Sequence, residues 1–246
     1  MGTVVVNGVR LGWRESGDPA GAPVLLLHGS GSSARTWGRF AARLGAAGRR
    51  AVAVDLRGHA SSARTWDYSL RSLRDDVLGL LDTLALRDAT LIGHSVGAYA
   101  ALGAALDSPG LIDRLVLEDL AAPPLRAATG PGVNPFQVLA GAFGILSARR
   151  DYALRALGSL LRQLSRPDAD WWGRLGEVVH PTLILSGGPA SVIPPSRLAD
   201  VTAAIPGARL TTIPVGHRVH SLAPDRFATE VLAFLAEPAR TTTATA

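Results

Sequence analysis

Apolar residues in this chain cluster in short runs, at residues 24–27, 51–54, 90–92, 115–117, 183–185 and 210–213, unbroken except for Thr90, Thr211 and Thr212, with stretches of helical spacing between them. A run that is apolar at every position predicts a strand buried on both sides. Strands of that kind belong to a parallel sheet covered by helices on both faces. Ahead of them, the β-prone residues 4–6 and 9–11 flank Asn7-Gly8, a dipeptide suited to the two positive φ angles of a type I′ turn, so the chain is predicted to open with an antiparallel hairpin at the sheet edge. Leu70, Leu73, Val77, Leu80, Leu81 and Leu84 recur at helical spacing behind Ser69, whose hydroxyl can cap the helix; Phe227, Val231, Phe234 and Leu235 repeat the pattern near the end. Residues 121–179 break the rhythm. They hold Pro, Gly and two or three amphipathic helical segments without a strand signal, and read as an insertion over the sheet. The expected organisation is core residues 1–120, insertion 121–179, returning core 180–237, and a disordered tail 238–246 ending in Thr-Thr-Thr-Ala-Thr-Ala.

Composition narrows this picture. With 246 residues, 47% of them hydrophobic, the chain can bury a large core as one domain with a modest insertion. A mean hydropathy of +0.21 raises the question of a membrane. Arg, Asp, Gly or Pro interrupts every apolar stretch well before the roughly 18 residues that a span needs. The first residues show no basic region ahead of a long apolar run, and Val6 stands where a myristoylation motif carries Ser or Thr. The expectation is a soluble cytoplasmic protein, monomer or homodimer, with no membrane partner. The absence of cysteine excludes disulfides, thiolate catalysis and Cys-ligated metal sites. A pI near 10.8 suggests nucleic acid only until the basic residues are inspected: all 25 are Arg, mostly single, without interleaved aromatics. Because Arg does not deprotonate, a net charge of only +5 suffices for such a pI, and no nucleic-acid partner is expected.

The chemistry-bearing residues begin at Gly93-His94-Ser95-Val96-Gly97, a G-x-S-x-G between the strand at 90–92 and an Ala-rich helical stretch from 98 to 106. In that setting the serine sits on a tight strand-to-helix turn, where glycines on either side remove Cβ atoms that would collide. Upstream, His28-Gly29-Ser30-Gly31 ends another strand in a glycine loop able to aim a backbone N–H, that of Ser30, at a developing oxyanion, with the Val96 N–H as second donor. Residues 29–34 also satisfy G-x-G-x-x-A after a strand, and Asp55 closes the next strand where a ribose-binding acid is expected. That dinucleotide reading leaves the hairpin, the Ser95 turn and the late histidines unexplained. Of those histidines, His217 follows a glycine at a strand exit and is the expected general base; His220 lies deeper toward the next helix.

Together the hairpin, His28-Gly29-Ser30-Gly31, Asp55-Leu56-Arg57-Gly58-His59, Gly93-His94-Ser95-Val96-Gly97, Pro181-Thr182-Leu183-Ile184-Leu185 and Gly216-His217 with Pro224 and Phe227 resemble the α/β-hydrolase superfamily over residues 3–236. The resemblance implies an α/β fold with a mostly parallel eight-stranded sheet, helices on both faces and a short helical lid inserted after the sixth strand, which falls on residues 121–179. It also implies a structural role for Asp55 and His59. One departure matters: relatives carry their triad Asp in the loop after the seventh strand, where this chain has Ser191. The acid is therefore expected at the end of the sixth strand, where side-chain alternation sends Glu118 and Asp119 to opposite sides. Asp119 is the first choice because it lies at the strand exit; Glu118 is the alternative.

The expected activity is that of a cofactor-independent serine hydrolase, without a metal, cleaving an ester, thioester, lactone or related acyl bond of a small, apolar substrate. Ser95 is the nucleophile, His217 the base, Asp119 or Glu118 the acid, and Ser30 and Val96 supply the oxyanion hole. The expected pocket is lined by His28, Gly29, His94, Phe136, Phe143, Trp171 and Trp172. A cyclase, lyase or acyltransferase on the same scaffold, or a binding protein that lost the chemistry, is the alternative.

Overall fold

In the computed structural model, which describes residues 1–126 and 152–238, the opening hairpin pairs β1 (Gly2–Val6) with β2 (Val9–Ser16). Its turn has φ of 50° at Asn7 and 74° at Gly8, the left-handed pair that this dipeptide tolerates. Six further strands follow: β3 (Ala22–Leu27), β4 (Arg49–Val54), β5 (Ala89–His94), β6 (Ile112–Glu118), β7 (Thr182–Ser186) and β8 (Arg209–Thr212). They form one eight-stranded sheet in the order β1-β2-β4-β3-β5-β6-β7-β8, parallel from β4 onward, with β2 antiparallel to β4.

Residue alternation along the strands splits the interior into two layers. Leu25, Leu27, Val52 and Val54 face α2 (Leu70–Thr83) and α3 (Val96–Asp107), whereas Val24, Leu26, Ala51 and Ala53 face α1 (Gly38–Ala46) and the C-terminal helix at Pro224–Ala236. The Ser69 hydroxyl accepts from the Ser72 N–H at 3.1 Å and so caps α2. The sequence expectation fails at the far edge. The stretch 210–213 reads as a buried strand, but β8 is Arg-Leu-Thr-Thr and mostly exposed, as suits an edge strand that pairs with β7 alone.

Between β6 and β7 the described residues form α4 (Leu154–Leu164), with Ala156, Leu157, Leu160 and Leu164 on its buried stripe, and α5 (Ala169–Gly173). Residues 127–151, with Phe136 and Phe143, and the tail after Pro238 lie outside the described residues. The remaining helices are α6 (Pro195–Ala204), α7 (Val219–Leu222) and α8 (Pro224–Ala236). Among the described residues no helix is long and apolar enough to cross a membrane.

The strand order fixes where a site can form. From β3 the chain crosses to β4 on one side, then passes back over β3 to β5 on the other. The loops leaving the carboxyl ends of β3 and β5 therefore diverge and open a crevice between them. Ser30 follows β3, and Ser95 follows β5.

Candidate active site

Ser95 stands between β5 and α3 with φ 53° and ψ −115°, a strained conformation for a residue with a side chain. The turn is held from the neighbouring strand, because the Ser95 N–H donates to the Glu118 carbonyl at 2.9 Å and the Ser95 carbonyl accepts from Ala121 at 3.2 Å. It also demands a glycine at 97: a Cβ there would lie 2.4 Å from the Leu27 carbonyl oxygen and 2.6 Å from that of His28. Close approach of α3 to the end of β3 thus brings the start of the 28–31 loop against the serine.

That loop is fixed by two buried imidazoles. His28 donates from Nδ1 to the Gly29 carbonyl at 2.7 Å and accepts the Leu56 N–H on Nε2 at 3.0 Å. His59 donates to the Arg57 carbonyl and accepts the Gly31 N–H at 3.1 Å. Burial, and then the neighbouring His59, pushes His28 down to about 3; burial likewise lowers His59. Both rings are neutral near pH 7 and serve as fixed donor and acceptor pairs. With the Gly31 N–H engaged, the N–H groups of Ser30 and Val96 remain without an acceptor among the described residues. Asp55, the candidate ribose ligand, accepts instead from the Ala34 N–H at 2.7 Å and the Ser61 hydroxyl at 2.6 Å, so its carboxylate ties the same loop down.

The two late histidines take different carboxylates. His217 Nδ1 lies 3.2 Å from Asp119 Oδ2, with Asp119 fully buried and His217 part-exposed. Asp119 has φ 42°, in the left-handed region that aspartate enters more readily than most residues; its other oxygen accepts the Gly187 N–H at 2.8 Å. Ser191, in the place of the usual acid, donates its hydroxyl to Asp119 Oδ2 at 2.6 Å and sits 3.4 Å from His217 Nδ1. The alternative acid Glu118 does not meet His217. It points to the other side of the strand and holds His220, at 2.7 Å to Nδ1 and 2.9 Å to the backbone N–H.

The expected pocket residues take the following places. His28 is fully buried with both ring nitrogens engaged, and His94 is 4% exposed, its Nε2 donating to the His217 carbonyl at 2.7 Å. Burial foremost, followed by His217 and His220, keeps the His94 pKa well below its ordinary value. Through these bonds the two rings hold the loops that flank Ser95. Gly29 lies against His94 and Ser95: a Cβ at that position would sit 2.6 Å from His94 Nδ1 and 3.2 Å from the Ser95 Cβ. Trp171 is buried and stacks on Tyr99 at 5.8 Å, and Trp172 donates to the Pro123 carbonyl, so both pack the insertion onto the core. Phe136 and Phe143 fall outside the described residues. Sequence reasoning missed the service of His59 to Gly31 and of Gly187 to Asp119. The latter left a signal in the Gly187-Gly188 pair, since a Cβ on Gly187 would lie 2.1 Å from the Gly216 carbonyl oxygen.

Comparison with known proteins agrees with this architecture. The profile of the Alpha/beta hydrolase family matches residues 24–230. The chain is 28% identical to mouse sn-1-specific diacylglycerol lipase ABHD11, covering 89% of this chain and 83% of that protein. It is 32% identical to the dihydrolipoyllysine-residue acetyltransferase component of the acetoin cleaving system of Pseudomonas putida, over 94% of this chain and 68% of that protein. Among solved structures, a hydrolase from Pseudomonas aeruginosa PA01 superposes with a TM-score of 0.79 at 26% identity, covering 96% and 98% of the two chains. With a family profile spanning most of its length and an eight-stranded sheet of the matching kind, the chain belongs to the alpha/beta hydrolase family.

Proposed function

We propose that the protein is a cofactor-independent serine hydrolase of acyl bonds in small apolar molecules, such as esters, thioesters or lactones, with Ser95, His217 and Asp119 as its triad. The observation that carries this reading is the buried Asp119 carboxylate 3.2 Å from His217 Nδ1, at a strand end hydrogen-bonded to the Ser95 turn.

In this mechanism the Ser95 Oγ attacks the acyl carbon and its proton passes to His217 Nε2. The Asp119 carboxylate holds Nδ1–H, which fixes the tautomer and stabilises the imidazolium. The N–H groups of Ser30 and Val96 receive the oxyanion; donors held in place before the reaction need no reorganisation as charge develops. Collapse of the tetrahedral intermediate breaks the bond to the leaving group, which takes the proton from His217. A water, deprotonated by the same imidazole, then releases the acid and restores Ser95. In this reading the insertion at residues 121–179 is the lid, and an apolar substrate is the class it would admit.

The test is turnover of p-nitrophenyl esters of graded chain length, with thioesters and lactones alongside, by the wild type and by Ser95→Ala. Hydrolysis lost by roughly 10⁴ or more in a folded Ser95→Ala protein supports the reading. Retention of more than about a tenth of the wild-type rate overturns it.

A further inference from the structure

The Glu118–His220 pair belongs to a longer chain that the triad does not use. His220 Nε2 lies 2.7 Å from the Thr36 hydroxyl, which in turn is 3.3 Å from that of Ser221. Hydroxyl, imidazole and carboxylate therefore follow one another at Thr36, His220 and Glu118 in the order proposed for Ser95, His217 and Asp119. Glu118 is fully buried, and a carboxylate out of water requires strong donors. It finds them in the Nδ1–H and backbone N–H of His220. With Nδ1–H committed to Glu118, neutral His220 accepts the Thr36 O–H on Nε2. The ring cannot swing away, because Trp37 stacks on it at 4.3 Å and Phe227 meets its edge at 6.1 Å.

The three partners sit on the three segments that carry the candidate chemistry. Glu118 precedes Asp119, His220 follows His217 by three residues, and Thr36 closes the loop that starts at Ser30. Between Ser30 and Thr36 the loop is stiff: Ser32 donates to the Gly29 carbonyl, Ala34 to Asp55, and Thr36 to the Ser33 carbonyl. His94 lies between the two systems, its ring 4.7 Å from that of His217 and 5.1 Å from that of His220.

We infer that Thr36, His220 and Glu118 form a second hydroxyl–imidazole–carboxylate relay whose role is to hold the oxyanion loop, the acid and the base in mutual register. This rests on the assignment of Ser95 as nucleophile. All three are positioning residues. The relay contacts no reacting atom, so its loss acts on the transition state more than on substrate capture.

The experiment compares Thr36→Val, which keeps the shape and removes the hydroxyl, with Thr36→Ser, which restores it. For each protein kcat and KM are measured with p-nitrophenyl butyrate, together with the rate at which a fluorophosphonate labels Ser95 and the melting temperature. Loosening a preorganised loop predicts a kcat and a labelling rate about tenfold lower in Thr36→Val, with KM within about twofold. Thr36→Ser is expected to regain the wild-type values. A side chain that only packs would alter melting and leave kcat alone. The inference is overturned if Thr36→Val labels and turns over at the wild-type rate, or if Thr36→Ser fails to restore what Thr36→Val loses. A wild type that does not label at Ser95 overturns the hydrolase reading itself, and this inference with it.

Discussion

Replacing Asp119 by Asn changes one oxygen of a buried group into a donor, and its surroundings dictate the result. The carboxylate accepts from the Gly187 N–H at 2.8 Å, the Ser191 hydroxyl at 2.6 Å and His217 Nδ1 at 3.2 Å. The Gly187 N–H is fixed backbone, so the amide oxygen stays with it and the NH₂ turns toward Ser191 and His217. Ser191 can reverse its hydroxyl and accept. His217 can only avoid a donor–donor clash by moving its proton to Nε2, where it no longer serves as a base toward Ser95. Loss of the correct tautomer and of the charge facing the imidazolium is expected to lower kcat/KM by roughly 10² to 10⁴, about 3–5 kcal/mol of transition-state stabilisation. Ser191 offers the complement. Its Oγ is 3.4 Å from His217 Nδ1, so a carboxylate at position 191 reaches the ring, and Asp119→Asn combined with Ser191→Asp should recover at least about tenfold over Asp119→Asn alone. Initial rates with p-nitrophenyl butyrate, checked against circular dichroism for folding, provide the assay. Asp119→Asn activity above about a tenth of wild type, or no recovery in the double variant, would refute the reasoning.

Stability should fall as pH drops below about 6.5. His28, His59 and His94 have folded-state pKa values below the unfolded value, so their contribution is complete above pH 6.5 and is lost as pH drops toward the folded values. For His28 alone, at about 3, the loss by pH 5 is about 2 kcal/mol. Urea midpoints at pH 7.5 and 5 measure it, and equal midpoints would contradict the neutral, buried assignment. Gly97→Ala should destabilise by about 1–3 kcal/mol or more, because its Cβ meets backbone oxygens that cannot yield, and should depress activity further by pushing the 28–31 loop from Ser95. A melting temperature unchanged from wild type would show that α3 can shift.

What the sequence made legible is what short-range physics decides. The Asn7-Gly8 turn, the Ser69 cap and the strained Ser95 turn each depend on a few adjacent residues, and the apolar runs locate the strands because a strand buried on both faces tolerates nothing else. Alternation alone predicted that Glu118 and Asp119 part company. It could not say which histidine each would meet. Asp119 and His217 are 98 residues apart, Glu118 and His220 are 102 apart, and Thr36 and His220 are 184 apart, so the order of strands in the sheet decides these pairings. The same holds for the partners of His28 and His94: motif position suggested both for the pocket, and the strand order decides that they are buried with Leu56 and His217 as hydrogen-bond partners. β8 shows the converse error: the stretch 210–213 groups with the apolar runs, yet Thr211 and Thr212 stand in its middle, and the polar β8 is the sheet edge.

The central claim is that Ser95 is an activated nucleophile, and covalent labelling tests it most directly. The wild-type protein is treated with a fluorophosphonate, digested, and the adduct located by mass spectrometry. The account predicts one adduct per chain, on Ser95, absent from Ser95→Ala and slowed in Asp119→Asn in step with turnover. A folded wild-type protein that takes up no label, or takes it up on another residue, would contradict it.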